Sequence, residues 1–134
     1  MNGGAMKVLV VEDDRSIQLV LELVFTRMAK CEVLLATEGA EGLAMIQKHK
    51  PDVVLLDLML PGMDGFEVCQ RSKADEATRQ IPIIFLTAQP QPAAVARAMA
   101  LGAAGYLVKP FDPIKIIDQV NEALARVQAP LIAK

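Results

Sequence analysis

The 134-residue sequence contains no tryptophan, one tyrosine and four phenylalanines, so only 4% of its residues are aromatic. Because 53% of the residues are nevertheless hydrophobic, we expect a core built from aliphatic side chains. A chain of this length is most simply one domain.

Cysteine and histidine are also scarce. Cys31 and Cys69 lie far apart without the spacing of a metal site, which favours free buried thiols in a reducing compartment. The single histidine, His49, is interpreted as structural or solvated. The formal net charge is −2, which gives no reason to expect direct binding to nucleic acid or to an anionic membrane.

The sequence has no apolar run near the roughly 20 residues that a membrane-spanning helix needs. Residues 1–5 lack the charged and apolar regions of a signal peptide, and we interpret them as a flexible leader or a remnant of expression. We therefore expect a cytoplasmic protein with one domain over residues 6–128. Residues 129–134 would form a tail or the start of a linker.

Short apolar runs alternate along the chain with segments of helical periodicity. The runs predict strands at 6–11, 32–36, 53–57, 82–87 and 105–108. The periodic segments predict helices at 16–28, 39–49, 66–72, 92–101 and 112–127, the last beginning at Asp112 or Pro113. This alternation indicates right-handed crossovers and a doubly wound α/β fold, with a five-stranded parallel sheet between layers of helices.

Polar residues of complementary kinds follow or end four of the predicted strands. In chain order they are Glu12-Asp13-Asp14, Asp57, Thr87 and Lys109. Taken singly, each has a simpler interpretation: an acid at the start of a helix is often an N-cap, and a threonine or lysine often just ends a strand. The carboxyl ends of parallel strands meet at one edge of the sheet. Polar residues at four of these ends therefore favour a functional site there.

The chemistry of this set is that of phosphoryl transfer. Clustered carboxylates repel one another unless a cation relieves them, and oxygen-only ligands suit Mg²⁺. Lys109 supplies a positive charge suited to a phosphate, and Thr87 supplies a hydroxyl donor. A carboxylate can act as the nucleophile and form an acyl phosphate.

Four motifs run in order through nearly the whole chain, from about Lys7 to Val127. They are Val11-Glu12-Asp13-Asp14, Asp57-Leu58-Met59-Leu60-Pro61-Gly62-Met63-Asp64-Gly65, Phe85-Leu86-Thr87-Ala88 and Gly105-Tyr106-Leu107-Val108-Lys109-Pro110-Phe111. In this order and at these separations they resemble the receiver domain of bacterial response regulators, of the chemotaxis-regulator type. The resemblance implies a flavodoxin-like three-layer sandwich with strand order 2-1-3-4-5.

The same resemblance implies a phosphorylation site in two-component signalling. Asp57 would accept a phosphoryl group from a histidine kinase or a histidine phosphotransfer protein, with Mg²⁺ as cofactor. The metal ligands would be Glu12, Asp13, Asp57 and the backbone carbonyl of Met59, while Asp14 would cap the first helix.

The resemblance also implies how phosphorylation is read out. Thr87 and Lys109 would contact the phosphoryl group, and the peptide bond between Lys109 and Pro110 would be cis. Tyr106 would follow Thr87 from an exposed to a buried rotamer. The outcome would be a population shift between two packings of one fold.

The responding surface would be the face of the fourth helix, fifth strand and fifth helix. Arg97 is the only charged residue of the predicted fourth helix, so we expect a protein contact there. The occupant could be a downstream protein, a C-terminal output domain or a second copy of the chain. The alternative is a helix tolerated for the helix propensity of alanine.

Other interpretations stay open at this point. A phosphorylation-independent docking module would share the fold. An aspartyl-phosphate phosphohydrolase usually carries a second acid where Met59 stands, and a flavin mononucleotide binder would not place Glu12-Asp13-Asp14 against a phosphate. We favour a signalling protein over an enzyme with an external substrate, either stand-alone or excised from a longer chain.

Overall fold

The computed structural model describes residues 5–133. The strands are β1 (Lys7–Val11), β2 (Glu32–Ala36), β3 (Val53–Asp57), β4 (Ile83–Thr87) and β5 (Gly105–Val108). The helices are α1 (Arg15–Leu23), α2 (Gly39–His49), α3 (Gly65–Ala74), α4 (Pro92–Ala100) and α5 (Ile116–Arg126). Residues 1–4 of the expected leader, and Lys134, lie outside the described part of the chain.

All five strands are parallel and lie in the order β2-β1-β3-β4-β5, which confirms the predicted α/β fold. Strand β3 is central, and every residue in it and in β4 is buried. This continuous burial is what an apolar strand covered on both faces requires. No helix among residues 5–133 is long and apolar enough to span a membrane.

An aliphatic core covers each face of the sheet. On one face, buried residues of α1 and α5 such as Leu21, Ile117 and Val120 pack against alternate strand residues. On the other face, Ile46 of α2 and Val68 of α3 do the same. Cys31 and Cys69 are free and buried, one in each core, which confirms their interpretation as structural thiols.

The first helix differs from the single helix predicted over 16–28. It begins at Arg15, and from Val24 to Met28 it continues as a π-helix. The hydroxyl of Thr26 donates to the carbonyl of Glu22 at 2.6 Å, taking the acceptor that an α-helical amide would use. Periodicity alone does not reveal this change, because the buried residues stay on one side.

The ends of two other helices also differ from the prediction. Helix α3 extends to Ala74, because the Lys73 ammonium donates to the carbonyls of Arg79 and Ile81 and so ties the helix end to the next loop. Helix α5 begins at Ile116 and ends at Arg126. The carboxylate of Asp112 accepts from the amide of Ile114 and holds a turn before the helix.

The segment after α5 packs against the domain. Ile132 is buried in the core that includes Cys31. Asn121 of α5 pairs with the backbone of Ile132 in both directions, donating to its carbonyl at 2.9 Å and accepting from its amide at 2.8 Å. Ile132 therefore packs against the folded unit, and the division into a domain over residues 6–128 and a tail or the start of a linker over residues 129–134 stays a prediction.

We predict that Asn121→Ala lowers the free energy of unfolding by about 1–2 kcal/mol, because two hydrogen bonds to the Ile132 backbone are lost. Urea unfolding followed by circular dichroism measures this change. Gln119→Ala, at an exposed position of the same helix, is the matched control and should stay near wild type. Equal stability of the two variants would show that the Asn121 contact contributes nothing.

Candidate functional site

Strand order brings the predicted polar residues to one edge of the sheet. Strands β1, β3, β4 and β5 are consecutive neighbours, so the residues at their carboxyl ends are also neighbours. Asp57 pairs in register with Leu86, and Thr87 pairs with Val108, one residue before Lys109. A crevice of about 430 Å³ opens at this edge; its lining includes Asp57, Thr87 and Lys109.

The ammonium of Lys109 lies between two buried carboxylates. Its Nζ is 2.6 Å from Oε1 of Glu12 and 3.2 Å from Oδ2 of Asp57. The side chain stays largely shielded from solvent, so these attractions act in a weaker dielectric than water. Burial alone lowers the pKa of Lys109, but the interactions of its ammonium with the carboxylates of Glu12 and Asp57 outweigh that effect, so the pKa lies above its usual value.

Glu12 is the most buried acid of the cluster, with 1% of its surface exposed. Burial raises its pKa to about 7, against the opposing effects of Lys109 and of the Asp14 amide. The amide of Asp14 donates to Oε2 at 3.0 Å, whereas Oε1 has its ion pair with Lys109 but accepts no well-directed hydrogen bond. A carboxylate oxygen buried in this way retains capacity for another cation.

Carboxylate oxygens of Glu12, Asp13 and Asp57 lie within 4.8 Å of one another. Asp13 is exposed, whereas Asp57 is 5% exposed, so the cluster spans the boundary between protein and solvent. An all-oxygen donor set open to water on one side fits Mg²⁺, which keeps several water ligands. The residues present therefore fit the metal that the sequence predicts.

Two loop contacts fix Asp57 and the segment after it. Its Oδ1 accepts from the backbone amide of Met59 at 3.0 Å, while the Met59 side chain points into solvent. Gly65, where α3 begins, passes so close that a Cβ there would lie 2.5 Å from the backbone oxygen of Asp57. Gly65 belongs to one of the four motifs. The physical reason for a glycine at this position is its close approach to the Asp57 backbone, which the sequence does not show. A ligand role for the Met59 carbonyl remains a prediction.

Thr87 is buried beside the crevice, with its hydroxyl engaged elsewhere. It donates to the carbonyl of Gln89 at 3.1 Å and accepts from the Gln89 amide at 3.2 Å. Tyr106 is 41% exposed, on the outer side of β5. The peptide bond between Lys109 and Pro110 is cis. Tyr106 is exposed and Thr87 bonds to Gln89 in this structure, and the coupled inward movement of the two side chains that the family resemblance implies remains a prediction.

Asp14 lies next to the cluster but has a different role. Its carboxylate accepts from the amides of Ser16 and Ile17 and so caps α1, as predicted. Sequence reasoning missed Gln18, which is buried behind Glu12 and donates to two backbone carbonyls. The signal available in the sequence was a glutamine on the otherwise apolar side of the predicted first helix, which indicates a buried polar contact.

Comparisons with known proteins agree on one family. Residues 8–121 match the family model described as the response regulator receiver domain. The DNA-binding dual master transcriptional regulator RpaA of Synechocystis is 41% identical over 93% of this chain and 48% of its own length. The transcriptional regulatory protein AfsQ1 of Streptomyces coelicolor is 44% identical over 88% of this chain and 50% of its length. The chain thus spans about half the length of these curated relatives.

A solved structure supports the same assignment. The chemotaxis response regulator CheY4 of Vibrio cholerae superposes with a TM-score of 0.84 at 34% identity, covering 90% of this chain and 100% of CheY4. The family match extends over most of the chain and includes every residue of the acidic cluster. The chain therefore belongs to the receiver domains of the response regulators of two-component systems.

Proposed function

We propose that this receiver domain is a phosphorylation switch in which Asp57 accepts a phosphoryl group with Mg²⁺ as cofactor. The observation that carries the proposal is the Lys109 ammonium held against both Asp57 and Glu12 at the carboxyl edge of the sheet. Transfer of a phosphoryl group needs a positive charge beside the nucleophile. It also needs nearby carboxylate oxygens that can hold a metal ion.

The proposed step is a transfer between two covalent phosphoryl carriers. An oxygen of Asp57 attacks the phosphorus of a phosphohistidine on a kinase or phosphotransfer protein. The new O–P bond forms as the N–P bond breaks, and the bonding pair leaves with the imidazole, which takes up a proton from solvent. The product on this chain is an aspartyl phosphate.

Four residues would assist this transfer. Glu12 and Asp13 would hold Mg²⁺ with Asp57, and the bound ion neutralises charge on the phosphoryl oxygens. Lys109 would keep its contact with Asp57 and extend it to the new oxygens. Thr87 would exchange its bond to the Gln89 carbonyl for one to the phosphoryl group. Tyr106 would then turn inward.

The readout would occur on the surface formed by α4, β5 and α5. Met99, Tyr106 and Val108 are exposed there, and the outer residues of α4 are otherwise mostly alanine. The guanidinium of Arg97, the one charged side chain of α4, lies 4.1 Å from the ring centre of Phe66 rather than projecting alone into solvent. A partner protein, an output domain or a second copy would bind this surface in the cytoplasm.

The first prediction is that acetyl phosphate with Mg²⁺ adds one phosphoryl group to the wild-type chain and none to Asp57→Asn. The carboxamide lacks the nucleophilic anion but keeps the size of the side chain. Intact mass spectrometry measures the gain. Asp75→Asn, an acid in the loop after α3, is the control and should phosphorylate normally.

Labelling that survives Asp57→Asn or the removal of Mg²⁺ would contradict the proposal. No labelling of the wild type, together with no beryllofluoride complex, would instead favour a phosphorylation-independent docking module.

A second prediction concerns pH. The folded-state pKa of Glu12 is raised from 4.5 to about 7 by burial, so between these values the folded chain keeps a proton that the unfolded chain releases. The contribution of Glu12 to the free energy of unfolding therefore falls as the pH rises from 4.5 to about 7. Because Mg²⁺ favours the ionised carboxylate, it should restore stability near pH 7.

Urea unfolding between pH 4.5 and pH 7.5, with and without Mg²⁺, tests this second prediction. Glu12→Gln should flatten the pH dependence and weaken the response to Mg²⁺, whereas Glu32→Gln, at an exposed position of β2, should behave like wild type. An unchanged slope in Glu12→Gln would assign the pH dependence to other groups.

A third prediction separates phosphorylation from readout. Thr87→Ala should still accept a phosphoryl group at Asp57, because the nucleophile and Lys109 stay in place, but more slowly, because one assisting hydroxyl is lost. The hydroxyl that would draw Tyr106 inward is lost, so the phosphorylation-induced change in Tyr106 fluorescence should disappear. This chain has one tyrosine and no tryptophan, so the signal is assignable. A full-sized fluorescence change in Thr87→Ala would rule out the threonine as the link.

A further inference from the structure

Gln18 lies in the first turns of α1 and is 1% exposed, which is unusual for an amide side chain. Its Nε2 donates to the backbone carbonyl of Glu12 at 2.7 Å and to that of Ala36 at 3.0 Å. Only the NH₂ group of the side-chain amide can donate hydrogen bonds to two carbonyl oxygens, so these bonds fix the orientation of the amide. Its Oε1 accepts from a guanidinium nitrogen of Arg15 at 3.4 Å.

These two acceptors are the ends of neighbouring strands. Ala36 is the last residue of β2, and its carbonyl also accepts from the Glu12 amide at 3.0 Å. The Glu12 carbonyl belongs to the peptide unit that joins Glu12 to Asp13. Because that unit is planar, fixing its oxygen fixes the direction in which the chain continues to Asp13.

The contact therefore acts on the two acids together. The Asp14 amide holds Glu12 from its side-chain end, and Gln18 holds it from its backbone end. Neither bond uses the Glu12 oxygen that faces Lys109. Gln18 itself is absent from the carboxylate cluster and from the residues lining the crevice at Asp57.

We propose that Gln18 is a positioning residue that sets the Glu12–Asp13 peptide so that both carboxylates face the metal site. This inference rests on the proposed function, since it concerns the Mg²⁺ that phosphorylation would require. Loss of the amide leaves the buried Glu12 carbonyl without that donor, and the peptide is free to rotate toward another one. The carboxylates of Glu12 and Asp13 must then be ordered when Mg²⁺ binds, and the entropic cost of ordering them weakens binding.

The test compares Gln18→Met with Thr78→Val. Methionine has nearly the length of glutamine and a good helix propensity, but it donates no hydrogen bond. Thr78 is the matched control: it is equally buried, and its hydroxyl donates to the Ser72 carbonyl at 2.7 Å in the loop before β4, at the other end of the sheet. Each variant loses buried bonds from a side chain to the backbone.

Mg²⁺ titration followed by amide NMR shifts gives the dissociation constant, and urea unfolding without Mg²⁺ gives stability. We expect Gln18→Met to weaken Mg²⁺ binding by roughly tenfold, as changes behind metal ligands commonly do. Thr78→Val should lose stability and keep the wild-type constant to within about twofold. Similar constants for the two variants would overturn the proposal, whatever their stabilities.

Phosphorylation rates supply a second readout. At saturating Mg²⁺ the rate of Gln18→Met with acetyl phosphate should return to within about twofold of wild type, because Asp57 and Lys109 are untouched. A rate that stays low at saturation would mean a general distortion of the site and would refute a role confined to the two acids.

The proposed function and this inference fail in distinguishable ways. A wild type that binds Mg²⁺ but is never phosphorylated would refute the proposed switch, and the comparison of dissociation constants would still decide the role of Gln18. A wild type that binds no Mg²⁺ would refute both.

Discussion

The ion pairs of Lys109 with Glu12 and Asp57 are the interaction on which the site depends. Two largely buried carboxylates at one edge of a sheet repel each other, and burial raises the pKa of Glu12 to about 7 even with Lys109 beside it; without that cation the pKa would lie higher still. The ammonium between them keeps the pair close without filling the cluster, because Asp13 remains exposed beside them. In the proposed switch the same ammonium would contact the phosphoryl oxygens, so one group would stabilise the resting site and also recognise the phosphoryl group.

The fold supplies this arrangement through strand order. A five-residue strand is short, and the carboxyl ends of β1, β3, β4 and β5 can converge only when these strands are neighbours. The buried apolar strands fix the backbone, and short contacts at their ends orient the polar side chains. The Met59 amide donates to the Asp57 carboxylate, the Asp14 amide donates to the Glu12 carboxylate, and the Gln18 side chain donates to the Glu12 backbone carbonyl. The site is therefore rigid at its base and open toward solvent.

Much of this arrangement could be predicted from the sequence, because two kinds of pattern agree. The apolar run from Val53 to Leu56 indicates a doubly covered strand, and the acid directly after it can be accommodated only at the edge of the sheet. The order of polar residues at the strand ends then predicts which side chains meet. These predictions depend on residue type and chain order, both of which are visible in the sequence.

The features that the sequence did not predict depend on distances between residues remote in the chain, or on local competition for one acceptor. The π-helical turn coincides with the bond from the Thr26 hydroxyl to the Glu22 carbonyl, and hydrophobic periodicity does not reveal that bond. Asn121, which bonds to the backbone of Ile132, resembles any polar residue of a helix surface in the sequence. Gln18 was missed for the same reason, since nothing in its neighbourhood in sequence shows that it reaches Ala36.

The central claim is that the acids and Lys109 form one site for a phosphoryl group and a divalent cation. A crystal structure of the chain with Mg²⁺ and beryllofluoride, a mimic of the phosphoryl group, tests this claim most directly. The account predicts beryllium bonded to a carboxylate oxygen of Asp57, a fluoride in contact with Lys109, the Thr87 hydroxyl turned from Gln89 to another fluoride, and the ion held by Asp13. Beryllofluoride bound elsewhere, or Lys109 still engaged only with the carboxylates of Glu12 and Asp57, would contradict it.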